Sequence, residues 1–240
     1  MKTAVALIAG LVFGLACGHT VAQTAAPAGA ARDVLVEERL RELPAPLLSA
    51  DGRWRLVAED AAVIVQQSDG PLRRVHPALS LDGREQGRPS ALLALPARRS
   101  FVLAFDGLPE LWEIALDPQA EPIFDGYVHD YRMGEGIAKP GFLGVRRTRL
   151  QEPLRALVGD GAYVLGRAAD VDAPGRGRAR LVLVQLDVRR PVARFEPDAD
   201  PDLGQAQLQQ EDDRRLLVIP DRRGGAALRI DLRAARLLPR

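Results

Sequence analysis

The sequence predicts an all-β chain, a β-propeller-like stack of about four small sheets. Three observations predict it. Short apolar runs recur between Gly, Pro and Asp turn signals along 33–240. No run beyond the first 22 residues holds helical spacing over three turns. The runs also group into units of three or four strands, with an uneven period close to the roughly 40–50 residues of a propeller blade. Such sheets cannot bury both faces alone and must stack on neighbours; radial packing of about 4–8 blades meets that need. A β-sandwich is the architectural alternative.

Residues 1–22 read as a secretory signal. Lys2 supplies the positive start, Ala4 to Ala16 is apolar, and Thr20-Val21-Ala22 is a small-residue cleavage site before Gln23. The run is too short for a membrane span, so a periplasmic or secreted chain is expected. Cys17 offers lipid anchoring as a less favoured route, because the usual large aliphatic residue three places earlier is missing. Cleavage after Ala22 leaves no cysteine, hence no disulfide, thiolate metal site or Cys-x-x-Cys-His haem attachment. Residues 23–32 are small and featureless and read as a flexible linker.

The domain of 33–240 then opens with Val34, Val36, Leu40 and Leu43. Leu47-Leu48, the Asp51-Gly52 turn and the alternation Trp54, Leu56, Ala58 predict a hairpin. Ala61 to Gln66 is the next strand, and Leu72 to Val75 follows the turn at Asp69-Gly70-Pro71. A second unit runs through Ala91–Leu95, Ser100–Phe105 and Glu110–Leu116, with Pro122–Phe124 closing it. The third comprises 154–157, 162–167, 180–186 and 191–195; the fourth comprises 205–208, 214–219, 227–231 and 236–238. Asp117, Asp187 and Asp231 each follow a strand at the same point of a unit, an internal sign of repetition.

Between the second and third units lies 124–150, read as a long irregular loop. It holds Gly134, Gly136, Gly141 and Gly144 with Pro140, a density that forbids regular structure. It also gathers rarer residue types: His129, Tyr127, Tyr131, Met133 and Lys139. Loops of this length are often functional. The plainer reading is a structural excursion whose Asp130, Arg132, Glu135 and further arginines pin the chain by ion pairs.

The run Val128-His-Asp-Tyr-Arg-Met-Gly-Glu-Gly-Ile-Ala-Lys-Pro-Gly-Phe-Leu-Gly-Val-Arg-Arg-Thr-Arg-Leu150, with Leu108-Pro-Glu-Leu-Trp-Glu-Ile114 before it, resembles the cytochrome cd1 haem-d1-type β-propeller family. These are periplasmic relatives of the nitrite reductase propeller. The likeness is sharpest over 108–154. It implies a shortened propeller, and it brings d1-type haem into view as a cofactor. His129 would then be the candidate ligand, Tyr131 a stacking partner, and Arg132, Arg146 and Arg147 partners for the macrocycle's carboxylates. It also implies periplasmic partners among respiratory or denitrification components. One departure stands out: where the resembled family carries a histidine beside Leu-Gly, this chain has Asp202. A distal proton donor is thus missing, and nitrite reduction by this chain alone is not expected. The reading that results is a binding or scaffold protein without catalysis of its own, with a haem-binding enzyme or maturation factor as the alternative.

The remaining inventory excludes more than it suggests. Formal net charge is +1, and Lys2 is the leader's one charged residue, which argues against nucleic acid as a partner. There is no Gly-x-Ser-x-Gly elbow and no second histidine near His129 to complete a zinc site. His76, between Arg73-Arg74 and Pro77, is expected in a solvated turn. Asp198, Asp200 and Asp202 read as a surface loop rather than a calcium site.

Overall fold

The structure, a computed structural model, describes residues 43–124, 138–168 and 179–239. The leader, the linker, Cys17 and residues 33–42 lie outside them. Among the described residues sixteen strands form four antiparallel sheets, each with its strands in sequence order. The first holds β1 (Leu47–Leu48), β2 (Trp54–Glu59), β3 (Ala62–Gln67) and β4 (Arg73–Pro77); the second holds β5 (Arg88–Leu95), β6 (Ser100–Asp106), β7 (Glu110–Ala115) and β8 (Val145–Arg149). The third holds β9 (Leu154–Gly159), β10 (Tyr163–Ala168), β11 (Leu181–Gln185) and β12 (Arg190–Phe195). The fourth holds β13 (Gln207–Glu211), β14 (Arg214–Ile219), β15 (Leu228–Asp231) and β16 (Arg236–Leu237).

Side chains alternate between the two faces of a strand, so each inner sheet serves two seams. Phe101, Leu103 and Phe105 of β6 face the first sheet and pack with Trp54, Leu56, Val63 and Val65. Val102 and Ala104 of the same strand face the third sheet and meet Leu154, Val164, Val182 and Val184. Leu181 and Leu183 of β11 turn the other way, onto Leu217, Ile219, Leu228 and Ile230. Hence β6 is buried almost throughout, whereas β2 alternates buried and open, with Arg55 and Glu59 exposed. Successive first strands lie against one another, β1 on β5 and β5 on β9. The three seam cores join consecutive sheets; among the described residues none joins the fourth sheet to the first. This is propeller packing in an open arrangement.

Ion pairs repeat across the seams. Arg88 of β5 meets Asp60 in the turn after β2 at 2.9 Å, and Arg155 of β9 meets Asp106 at the end of β6 at 2.8 Å. Arg167 reaches Asp200 at 2.8 Å. Arg98 spans the second and third sheets, holding Glu113 at 2.7 Å and Asp187 at 2.6 Å. Arg215 Nε lies 2.9 Å from Asp160 Oδ2 without its N–H aimed there, an ion pair rather than a hydrogen bond.

Two expectations change. The second sheet is closed by Val145–Arg149, not by Pro122–Phe124, so the excursion ends before β8. An outermost strand rich in arginine shields its edge from other chains and looks, in sequence, like part of a loop. His76 lies in β4, not in a turn. The residue before a proline favours extended backbone, and a proline is tolerated on an edge strand.

Candidate functional site

The excursion between β7 and β8 is closed by a neck. Ile123 and Lys139 exchange both backbone hydrogen bonds at 2.9 Å, and Leu143 N donates to Ala115 O at 2.8 Å. Gly141 is pressed against the chain opposite: a Cβ there would stand 2.1 Å from Glu121 O and 2.4 Å from Ala120 O. Only a residue without a side chain allows that approach. Leu143 holds a left-handed φ of 52° and is buried. Phe142 meets Trp54 of the first sheet edge-on, ring centroids 5.7 Å apart. The neck is thus tied to both sheets of the first seam.

Of the sequence-predicted residues, His129, Tyr131 and Arg132 lie outside the described residues; in sequence they fall between the two neck residues. Arg146 and Arg147 are adjacent on β8 and so occupy opposite faces of the sheet. Arg146 Nη2 donates to Glu121 O at 2.8 Å, on the neck. Arg147 Nη1 donates to Glu110 Oε2 and to Leu79 O, each at 2.7 Å, and its guanidinium lies 4.2 Å above the Trp112 ring. Glu110 Oε2 also accepts from Trp112 Nε1 at 2.7 Å. The two arginines therefore do not converge on one ligand from one side of the sheet.

Sequence reasoning missed this seam cluster. Its signal is the spacing Glu110-Leu-Trp112, which places a carboxylate and an indole on the same face of one strand, opposite an arginine-rich one. His76 belongs to the same region. Its pKa is pushed down to about 4 by burial first, then by the charges of Arg74 and Arg147, while a backbone hydrogen bond at Leu143 acts the other way. His76 Nε2 is buried without a partner.

At the fourth sheet, Asp202 occupies the place where the resemblance suggests histidine. Its Oδ1 accepts from Arg222 Nη2 and Gly204 N, both at 3.1 Å, capping the 3-10 turn Leu203–Gln205. The Arg222 hydrogen bond holds its carboxyl below the usual range.

Among the described residues no three His, Cys, Asp or Glu side chains gather to hold a metal. Three clefts among the described residues measure about 240 to 270 Å³, each below the roughly 300–1,000 Å³ of ordinary ligand pockets. No helix among the described residues is long and apolar enough to cross a membrane.

The described residues form a β-propeller-type stack of four blades, with no seam core among them between the first and the last. Among solved structures it is similar to the dihydro-heme d1 dehydrogenase NirN in complex with DHE, with 26% identity and a TM-score of 0.57, over 81% of this chain and 36% of that one. It is also similar to apo AztD from Citrobacter koseri, at 9% identity and a TM-score of 0.47, over 82% of this chain and 46% of that one. The β-propeller domain of Myceliophteria thermophila Cps50 (Swd1) shows 13% identity and a TM-score of 0.35, over 78% and 55%. The chain thus spans little more than a third of the length of NirN. It matches no family model and no curated protein.

Proposed function

We propose that this chain is a periplasmic binding or scaffold protein of β-propeller type, without catalysis of its own, docking other periplasmic proteins through its excursion. Respiratory or denitrification components are the partners that the resemblance suggests. The observation that carries this reading is how the charges of the inner seams are used. Glu110, Glu113, Arg98 and Arg147 are held by partners within the chain. They brace the inner seams as a platform on which the neck stands. The excursion, which in sequence runs between the neck residues Ile123 and Lys139, is the docking element of this reading.

The likeness to NirN, whose structure holds DHE, favours a second reading. Here the excursion takes a d1-type haem, with His129 as ligand, Tyr131 and Arg132 beside it, and Arg146 contributing from β8. Bound haem would supply redox chemistry; these residues would hold and orient it. His129, Tyr131 and Arg132 lie between the neck residues in sequence, so this reading rests on 125–137.

Co-expression with d1-haem synthesis, followed by purification and a visible spectrum, separates the two. A colourless protein supports the scaffold. A haem band lost in His129→Ala overturns it in favour of the second reading. Cell fractionation with N-terminal sequencing tests the location; Gln23 as first residue is the expected result.

A further inference from the structure

Among the described residues each inner sheet carries a seam core on both faces, but the first sheet carries one on a single face. Residues directly opposite on antiparallel strands share a face, so the register defines its other side. Val57, Ile64 and Val75 form a row across β2, β3 and β4, with Leu48 of β1 on the same face. Val75 is 44% and Leu48 50% exposed. Ile64, 4% exposed between its two valines, belongs to none of the three seam cores. Along β2 the row is flanked by Arg55 on one side and Glu59 on the other. Both are exposed, and no ion pair holds either among the described residues. An apolar patch rimmed by charge marks an interaction surface. The outer face of the fourth sheet is different. Gln207, Gln209 and Glu211 line it along β13, and Glu211 pairs there with Arg229. That is the polar face of a terminal repeat.

We propose that this face of the first sheet pairs with the same face of a second copy, about a twofold axis that runs across the strands. Identical patches related by a twofold are the commonest form of self-association. The charges choose the axis. A twofold across the strands reverses their direction, so Arg55 lies over Glu59 of the partner subunit and Glu59 over Arg55 of the partner subunit. The apolar row packs on its own copy between them. A twofold along the strands would instead set the level of Arg55 and Arg73 against itself, a like-charge contact that costs affinity. Four strands about 4.8 Å apart, with six residues in β2 at about 3.3 Å each, span roughly 19 by 20 Å. That outline of roughly 400 Å² lies below the about 800 Å² per partner of a standard interface. The dimer is therefore weak and reversible, with a Kd on the order of 10 µM. The proposal uses none of the residues between 124 and 138, so it stands or falls apart from the scaffold reading.

Sedimentation velocity on the purified chain from about 1 to about 200 µM tests the proposal. Monomer is expected at the low end and mostly dimer at the high end. Val75 is exposed on an outermost strand, so Val75→Asp leaves the fold intact. It buries a charge in the apolar row and is expected to weaken the dimer about tenfold or more. Arg55→Glu sets carboxylate over carboxylate and is expected to weaken it about tenfold. Adding Glu59→Arg restores the opposite pairing, and with it the affinity. A chain still monomeric at about 200 µM overturns the proposal and leaves the face to a different protein. A dimer that appears only when residues 33–42 are removed overturns it in favour of that segment of the same chain. A dimer indifferent to Val75→Asp lies on another surface, and one that the second charge change fails to rescue has another axis. Either result overturns it.

Discussion

The guanidinium of Arg147 lies 4.2 Å over the indole of Trp112. The same arginine donates to Glu110 Oε2, which also accepts the Trp112 indole N–H. Arginine, tryptophan and glutamate therefore form one closed unit in the first seam, with the Arg147 side chain 18% and that of Glu110 7% exposed. A cation over an indole adds stabilisation when solvent is excluded. The larger effect comes from the carboxylate. Without Arg147 the buried Oε2 keeps, among the described residues, the indole N–H of Trp112 as its donor.

Arg147→Met keeps the apolar stem and removes the charge. Breaking a buried pair from one side costs about 3–5 kcal/mol, and the remaining exposure of Arg147 places this case at the low end. A loss of about 3 kcal/mol in urea unfolding is the expected result. Adding Glu110→Gln should recover more than half, since the orphaned charge is then gone. No recovery in the double variant would show that packing on Trp112, not the charge, dominates.

The neck gives a sharper steric expectation. A Cβ on residue 141 meets two backbone carbonyls, which cannot swing aside. Gly141→Ala should cost about 2 kcal/mol or more and speed hydrogen exchange at the Ile123 and Lys139 amides. Gly70→Ala is the control. The Cβ there meets only the end of the Gln67 side chain, which can rotate away, so its melting temperature should stay near that of the parent.

Much of this arrangement can be read in the sequence, and what cannot has a physical cause. Residues 101–105 are apolar throughout because a strand in an inner sheet faces two cores, and that run is unmistakable. The alternation in Trp54–Glu59 already says that the first sheet is covered on one face. β8 is hidden because an outermost strand can be written in arginine and threonine, and its partners are set by pairing with β7 rather than by its own pattern. The glycines of the excursion announce irregular backbone. That Gly141 serves a neck depends on Ile123 meeting Lys139, a contact that no local spacing encodes. The seam cluster is missed for the same reason, because Trp112 and Arg147 meet only through strand register.

His76 makes stability depend on pH. Its pKa in the folded chain is about 4, against 6.5 for an unperturbed histidine. Between those values the unfolded chain holds the extra proton, so stability rises with pH across that window and falls as pH drops from 6.5 toward 4. The full shift corresponds to about 3 kcal/mol; His76 is half-buried, so solvent screening brings the expectation to on the order of 2 kcal/mol. His76→Phe should flatten the unfolding free energy over that range. An unchanged slope would assign the acid sensitivity to carboxylates instead.

The tight turns carry the last expectation. Arg189, between β11 and β12, holds a φ of 49°, as does Asp212 between β13 and β14. For an L-residue with a long side chain the left-handed region costs about 1–2 kcal/mol, whereas Asp can stabilise it by local hydrogen bonds. Glycine removes that strain but gives the unfolded chain more freedom, which takes back about 0.4–1 kcal/mol. Arg189 is exposed, so its replacement sacrifices little packing. Arg189→Gly should therefore stabilise the chain by about 0.5 kcal/mol, while Asp212→Gly should leave it unchanged or slightly weaker. Paired urea denaturation curves decide it: equal responses at the two positions would mean that the turn, and not the side chain, sets the strain.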